Sequence, residues 1–297
     1  MEKAKIKKII IYAAGILGLL VLLSLILAFT SSSRDPVTTF FKKIYPAVVM
    51  GANEISIYDY ETYQRIALRL DSKASIRDIQ GQIIDGHKAV ILATKAGFDI
   101  TEIEVDREYK YLTLGKDQEL SNLLKDAFGG DVELLKKFVV KPSLAKAKLA
   151  IKYNSDFNRH RSEYNEATDL INQIKNGKKF EDLAKTQSDD KVSAQFGGDL
   201  GFFEQSEIIP ELEQAIVSVP VNEVFKEVIV TRKGYHIIYP VGTAEQAGPP
   251  RVDSDGLETR VEAGKKLWHA KHILIETQGY DVWEAEQFAK IKTITLK

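Results

Sequence analysis

The chain has 297 residues, 44% of them apolar, which is enough for one or two buried cores, and the usual size of domains favours two. Its 41 basic and 42 acidic side chains nearly cancel, so it lacks the electrostatic footprint of a nucleic-acid binder and no nucleic-acid partner is expected. The absence of cysteine excludes disulfides, thiolate metal sites and cysteine nucleophiles, and leaves the compartment to other signals.

The first such signal is Ile9 to Phe29, an uncharged apolar run as long as the roughly 20 residues that a helix needs to cross a bilayer. Lys3, Lys5, Lys7 and Lys8 precede it and only Arg34 follows closely, a bias that keeps the N-terminus in the cytoplasm and the bulk of the chain outside. Residues 1–35 are thus expected to form a cytoplasmic stub, a single-pass anchor through residues 9–29 and a linker, with the lipid bilayer as a partner. A cleaved signal peptide is the alternative; its apolar region would be about 7–15 residues, and "LAFTSSS" is a poor cleavage site.

From Val37 to Val140 helical signals dominate, predicting an all-helical domain over 36–160, with a brief strand at Ala47 to Met50. Ser56 and Ser75 are placed to cap helices, Thr101 with Glu104 has capping-box spacing, and Gly97 is placed to end the second helix. Pro142 to Tyr153 reads as helix, with the proline in the first turn. A further helix runs through Ile174 to Gly177, and Phe180 to Lys185 forms a short one. The texture changes at Ser188: a glycine-rich stretch precedes a helix from about Ile209 to Ile216. Two strands follow, Val224 to Thr231 and Tyr235 to Val241, joined by the turn "RKG". Thr243 to Lys266 reads as a long excursion before the apolar strand in "WHAKHILIET", Trp268 to Thr277. The class is α+β.

Gly197-Gly198-Asp199-Leu200-Gly201 invites a phosphate-loop reading, but no Gly-Lys-Ser/Thr follows, and a strand with a glycine-permitted bend accounts for it. No G-x-S-x-G or H-E-x-x-H is present. Of five histidines, His87 and His160 sit in polar helical contexts and read as solvated. His269 and His272 are three apart on a strand, so they face opposite ways and cannot share a metal; no metal site is expected. His236 and His272 each open an apolar run, where a buried imidazole needs a partner.

"FEDLAKTQSDDKVSAQFGGDLGFFEQSEIIPELEQAI" followed by "VTRKGYHII" resembles the parvulin (PpiC or rotamase) family of peptidyl-prolyl cis-trans isomerases, over roughly Glu163 to Val241. The helical region before it resembles the N-terminal part of extracytoplasmic foldases. The family's domain begins with a strand of the form A-[RK]-H-I-L, absent upstream of "FEDLAK"; the A-K-H-I-L-I of this chain is Ala270 to Ile275. One reading is a circularly permuted domain: 161–242 forms most of a four-stranded antiparallel sheet with helices, and the loop and strand of 243–297 complete it beside Tyr235 to Val241. The rival is a truncated second repeat, with His272 merely structural.

The resemblance implies a proline pocket of Ile208, Leu212 and Phe202, and a polar part of His236, Thr231 and Asp190, completed by His272 if the domain is permuted. Relatives commonly have Met and Phe where this chain has Ile208 and Leu212, and Cys or Asp at Asp190. No cofactor, metal or nucleotide is implied, and the partners are unfolded, proline-containing exported chains. Three functions stay open: an anchored isomerase, a binding-only chaperone with a degenerate parvulin-like domain, and a scaffolding surface protein.

Overall fold

The structure is a computed structural model that describes residues 18–114, 116–204, 207–244, 251–252, 258–259 and 266–296. Residues 9–17 of the expected anchor lie outside these; residues 18–30 form helix α1. Among the described residues, no helix is long and apolar enough to cross a membrane.

The N-terminal region mixes helix and sheet rather than being all-helical. After α2 (Pro36–Ile44), β1 (Pro46–Met50) and β2 (Asn53–Ser56) form a hairpin that the sequence shows only as one short apolar run. Ser56 then accepts from the Asp59 N–H and starts α3 (Ile57–Leu70); Ser75 does the same through Asp78 for α4 (Ile76–Lys95). The capping box of Thr101 and Glu104 opens α5 (Glu102–Thr113). Helices α6 (Asp117–Phe128) and α7 (Val132–Leu135) follow. A five-residue π segment, Lys136–Val140, leads without a break into α8 (Lys141–Asn154). Pro142 has no N–H to donate one turn back, and the widened turn just before it accommodates that missing bond.

Helices α9 (Arg161–Lys175), α10 (Phe180–Gln187) and the single-turn α11 (Lys191–Ala194) lead into β3 (Asp199–Phe203). After α12 (Pro210–Ser218) come β4 (Ile229–Val230) and β5 (Gly234–Ala244). The predicted strand Val224 to Thr231 is therefore mostly not a strand, although the Phe225 N–H still bonds the Ile238 carbonyl. The excursion lies largely outside the described residues, apart from β6 (Arg251–Val252) paired with β7 (Glu258–Thr259). The apolar stretch within Trp268 to Thr277 is β8 (Leu267–Glu276).

These strands form one antiparallel sheet in the order β3-β8-β5-β4. Ile273 faces Ile237 and Ile275 faces Tyr235, so the strand of this sheet that comes last in the chain lies in its middle. Alternation divides its side chains between two cores. Tyr235, Ile237, Ile273 and Ile275 pack under α9 and α10 with Leu170, Ile171 and Phe180. Ile238 and Ala270 pack on the other face, against Leu212 and Ile216 of α12 and Phe203 of β3. The chain then leaves this sheet: α13 (Tyr280–Ala289) seats Phe288 against Ala89 and Ala93 of α4, and β9 (Ile294–Thr295) joins β1 as the third strand of the N-terminal sheet.

Asn154, buried at the end of α8, ties the two regions. Its side-chain amide donates to the Thr231 carbonyl at 2.8 Å, its amide oxygen accepts from Thr277, and its carbonyl accepts from the Tyr235 hydroxyl at 2.7 Å.

Candidate active site

The glycine-rich stretch brings β3 against β8. Gly197 (φ +73), Gly198 (φ +82) and Gly201 (φ +68) all have left-handed backbones, which glycine adopts without the Cβ penalty of other residues. Gly198 also needs its bare Cα for space: a Cβ there would overlap the His272 carbonyl oxygen. The close approach is sealed by the His272 N–H, which donates to the Gly198 carbonyl at 2.8 Å.

That seam fixes His272 beside three polar groups. Its Nε2 lies 2.7 Å from Asp190 Oδ2 and 2.9 Å from the Ser193 hydroxyl, and its Nδ1 lies 3.1 Å from Nδ1 of His236. Ser193 donates to the same Asp190 oxygen at 2.7 Å, while Asp190 caps α11 through the Val192 N–H. The hydrogen bond from His272, with those from Ser193 and Val192, holds the Asp190 carboxyl well below the usual carboxylate range. Burial, reinforced by the neighbouring His272, pushes His236 well below the usual imidazole range.

An ionised Asp190 can only accept, so Nε2 of His272 carries the hydrogen between them. The two Nδ1 atoms share one hydrogen, which joins the histidines into a relay anchored at one end by a carboxylate. At the other end His236 Nε2 is a buried atom with no hydrogen-bond partner among the described residues. The relay shares its sheet face with Ile238, Ala270, Leu212 and Phe203, so polar and apolar groups meet on one buried face of the sheet.

The structure thus brings together His236, His272, Asp190, Leu212 and the half-buried Ile208. It does not bring in two others. Thr231 is buried, but its hydroxyl serves the β4–β5 turn, accepting from the Lys233 N–H and facing the Gly234 carbonyl. Phe202 points to the opposite face and stacks on His269, ring centroids 4.7 Å apart, because an irregularity between Asp199 and Phe202 shifts the alternation; Phe203 occupies the pocket side. His269 bonds Asp199 at 2.7 Å and faces away from His272, as the spacing requires. Ser193 was not singled out from the sequence; its position three residues after Asp190, one helical turn on, is the signal that would have found it. Nor are His87 and His160 solvated. His160 is buried against the Tyr153 ring and His87 is half-buried, its Nδ1 2.9 Å from the Ile83 carbonyl; burial lowers both.

Beside the pocket a cleft of about 340 Å³ opens between α5, α8 and α12, where Tyr111, Leu144, Ile151 and Ile208 meet Arg232. Its charges are paired: Arg232 grips the buried Glu108 through two bonds of 2.8 Å, and Arg107 bonds Glu213. Tyr111 packs against the same apolar cluster as Leu212.

Residues 131–241 match the family described as the PPIC-type PPIASE domain; the match ends before β8. The chain is 25% identical over 196 residues to the foldase protein PrsA 2 of Bacillus anthracis, covering 60% of this chain and 68% of that protein. It is 40% identical over 73 residues to the chaperone SurA of Chromobacterium violaceum, covering 25% of this chain and only 17% of the relative. A solved structure of a peptidylprolyl isomerase (PrsA) from Bacillus anthracis is 22% identical over 68% of this chain and 83% of that one, with a TM-score of 0.25, too low to equate the two folds. The chain carries a parvulin-type domain with a chaperone-like helical region beside it.

Proposed function

We propose that this parvulin-type domain is a working peptidyl-prolyl cis-trans isomerase that assists the folding of exported polypeptides, held outside a membrane by the apolar N-terminal segment. The observation that carries the reading is the meeting of His236, His272 and Asp190 beside the Leu212–Phe203 surface, assembled from segments far apart in the chain. In this reading residues 161–242 and the strand Leu267–Glu276 form one isomerase domain in permuted order, residues 36–160 form the chaperone-like region, and residues 1–35 hold the anchor.

Rotation about an X–Pro bond faces a barrier of about 18–20 kcal/mol because amide resonance stiffens it. The uncatalysed reaction takes tens to hundreds of seconds and limits folding. A catalyst must favour the twisted amide, in which the carbonyl loses conjugation and the nitrogen becomes pyramidal. The apolar face of Ile208, Leu212 and Phe203 suits a proline ring. The relay supplies a fixed, desolvated polar wall whose orientation costs nothing at the moment of rotation, because Asp190 and Ser193 already hold His272 in place. The chemistry needs no covalent step and no cofactor.

A second reading, a binding-only chaperone, draws support from Tyr111, which packs against the cluster where the proline would sit, and from the buried, smaller Leu212. One experiment separates the two: cis–trans exchange of a proline peptide is measured with the full chain in detergent, beside His236→Ala and His272→Ala variants whose folding is checked by circular dichroism. The isomerase reading expects acceleration by the parent and a matched loss in both variants. No acceleration by a parent that still suppresses aggregation of an unfolded client would establish the chaperone instead.

A further inference from the structure

Helix α2 packs Phe41 against the core yet leaves a second apolar stripe outside. Its buried residues are Thr38 and Lys42, 3% and 4% exposed, while Val37, Phe40 and Ile44 are 59%, 59% and 50% exposed. The i, i+3, i+7 spacing puts these three apolar side chains on one stripe. The polar side is well held from within: Lys42 pairs with Glu61 of α3 at 2.8 Å, and Asp35 caps the helix by accepting from the Val37 and Thr38 N–H groups at 3.0 Å. Rotating the helix to hide the stripe would break these bonds and expose a buried ion pair to rearrangement, so the orientation is fixed.

A contiguous exposed apolar stripe on a short helix marks a contact surface, and its position says with what. Helix α1 ends five residues before α2 begins and exposes Leu19, Leu20, Leu22, Leu23 and Ile26. The two helices are fastened together: the hydroxyls of Ser24 in α1 and Tyr45, the residue that caps α2, lie 2.6 Å apart, and Ala28 is fully buried in the adjoining core. Whatever surrounds the apolar flank of α1 therefore also lies within reach of α2. Arg34 and Lys43 flank the stripe, and cations beside an apolar face suit anionic headgroups.

We infer that α2 is an interfacial helix, seating Val37, Phe40 and Ile44 at the boundary of headgroups and acyl chains in the same bilayer that holds α1. The inference rests on the anchor reading of the proposed function but adds a second membrane contact, outside the apolar run. It gives α2 a role: one face holds the protein through Lys42 and Thr38, the other holds the lipid.

The protein has no cysteine, so a single introduced one carries a nitroxide label without background. Full chains bearing Leu23→Cys, Phe40→Cys, Ile44→Cys or the control Lys73→Cys are placed in vesicles of zwitterionic and anionic phospholipid. Collision rates of each label with oxygen, which partitions into lipid, and with a water-soluble nickel chelate are then compared. Labels at positions 40 and 44 should show an oxygen-to-nickel ratio several-fold above position 73 and similar to position 23. A lipid-like ratio at 23 with a water-like ratio at 40 and 44 overturns the inference and leaves the anchor standing. A water-like ratio at 23 overturns both. Spin coupling at 40 that vanishes on dilution with unlabelled chain would put a second copy on the stripe, and protection that arises only on adding an unfolded polypeptide would put a client there; either result also overturns it.

Discussion

Substituting Gly198 by alanine tests the seam that holds His272, and the structure supplies its own control. At Gly198 two costs add. A left-handed backbone (φ +82) costs a residue with a Cβ about 1–3 kcal/mol. The new methyl would also overlap the His272 carbonyl oxygen and lie 3.1 Å from the Ala184 Cβ, forcing β3 and β8 apart and weakening a hydrogen bond whose net value is about 1 kcal/mol. The sum is roughly 2–4 kcal/mol. Gly201 has nearly the same backbone (φ +68), yet a Cβ there meets nothing within 4 Å. Gly201→Ala therefore bears only the first cost, and the difference of about 1 kcal/mol between the variants isolates the overlap. Urea unfolding of both variants in the same detergent measures it as a shift of midpoint at unchanged slope. On the proposed function, cis–trans exchange should also slow further in Gly198→Ala, because the displaced backbone carries His272 away from Asp190. Equal losses of stability in the two variants would refute the reasoning, since the seam would then impose no steric demand.

Two more perturbations probe the region boundary and the relay. Arg232→Met leaves the Glu108 carboxylate buried without its two bonds, which should cost about 3 kcal/mol, while adding Glu108→Leu should restore most of the loss; urea midpoints of the single and double variants decide, and equal losses would show that the pair is not desolvated. For pH, burial depresses the folded-state affinity of His236 for protons, and of His87 and His160. The unfolded chain therefore binds more protons than the folded one below about pH 6.5, the ordinary imidazole value. Stability is complete above that pH and falls below it, with His236 contributing up to about 1.4 kcal/mol per pH unit. Midpoints at pH 7, 6 and 5 should show the fall, and a flatter profile in His236→Gln assigns the share.

The parts legible in the sequence are those whose cause is local. Ser56, Ser75 and the Thr101–Glu104 pair announce helix starts because a cap and its N–H lie within three residues. The β8 strand was legible for another reason: the apolar run that follows His272 is what a strand buried on both faces requires. Where the cause is distant, the sequence is silent. β9 is two residues long and becomes a strand only because β1 offers it a partner. Phe202 and Phe203 are chemically equivalent neighbours, and only the irregularity facing β8 decides which one reaches the pocket. His160 looks solvated among charged neighbours, yet the Tyr153 ring covers it from the preceding helix. The spacing of Val37, Phe40 and Ile44 shows an apolar stripe but not which way it faces.

The order of the strands has a consequence for how the site forms. A sheet is indifferent to the sequence in which its strands are connected, provided that the connections are long enough, since closing a longer loop adds only slowly to the entropic cost. It is not indifferent to which strand is missing. β8 lies between β3 and β5, so without it neither has its neighbour, the Asp189 N–H loses the Leu274 carbonyl and the Leu274 N–H loses the Ser188 hydroxyl. Asp190 and His236 are present earlier in the chain, but the group that joins them is not. The polar relay can therefore assemble only once residues up to Glu276 are available, and the same closing step that completes the core also places His272. Through Thr277, which follows β8 and donates to Asn154, that step also adds a third bond to α8, where Asn154 already meets Thr231 and Tyr235.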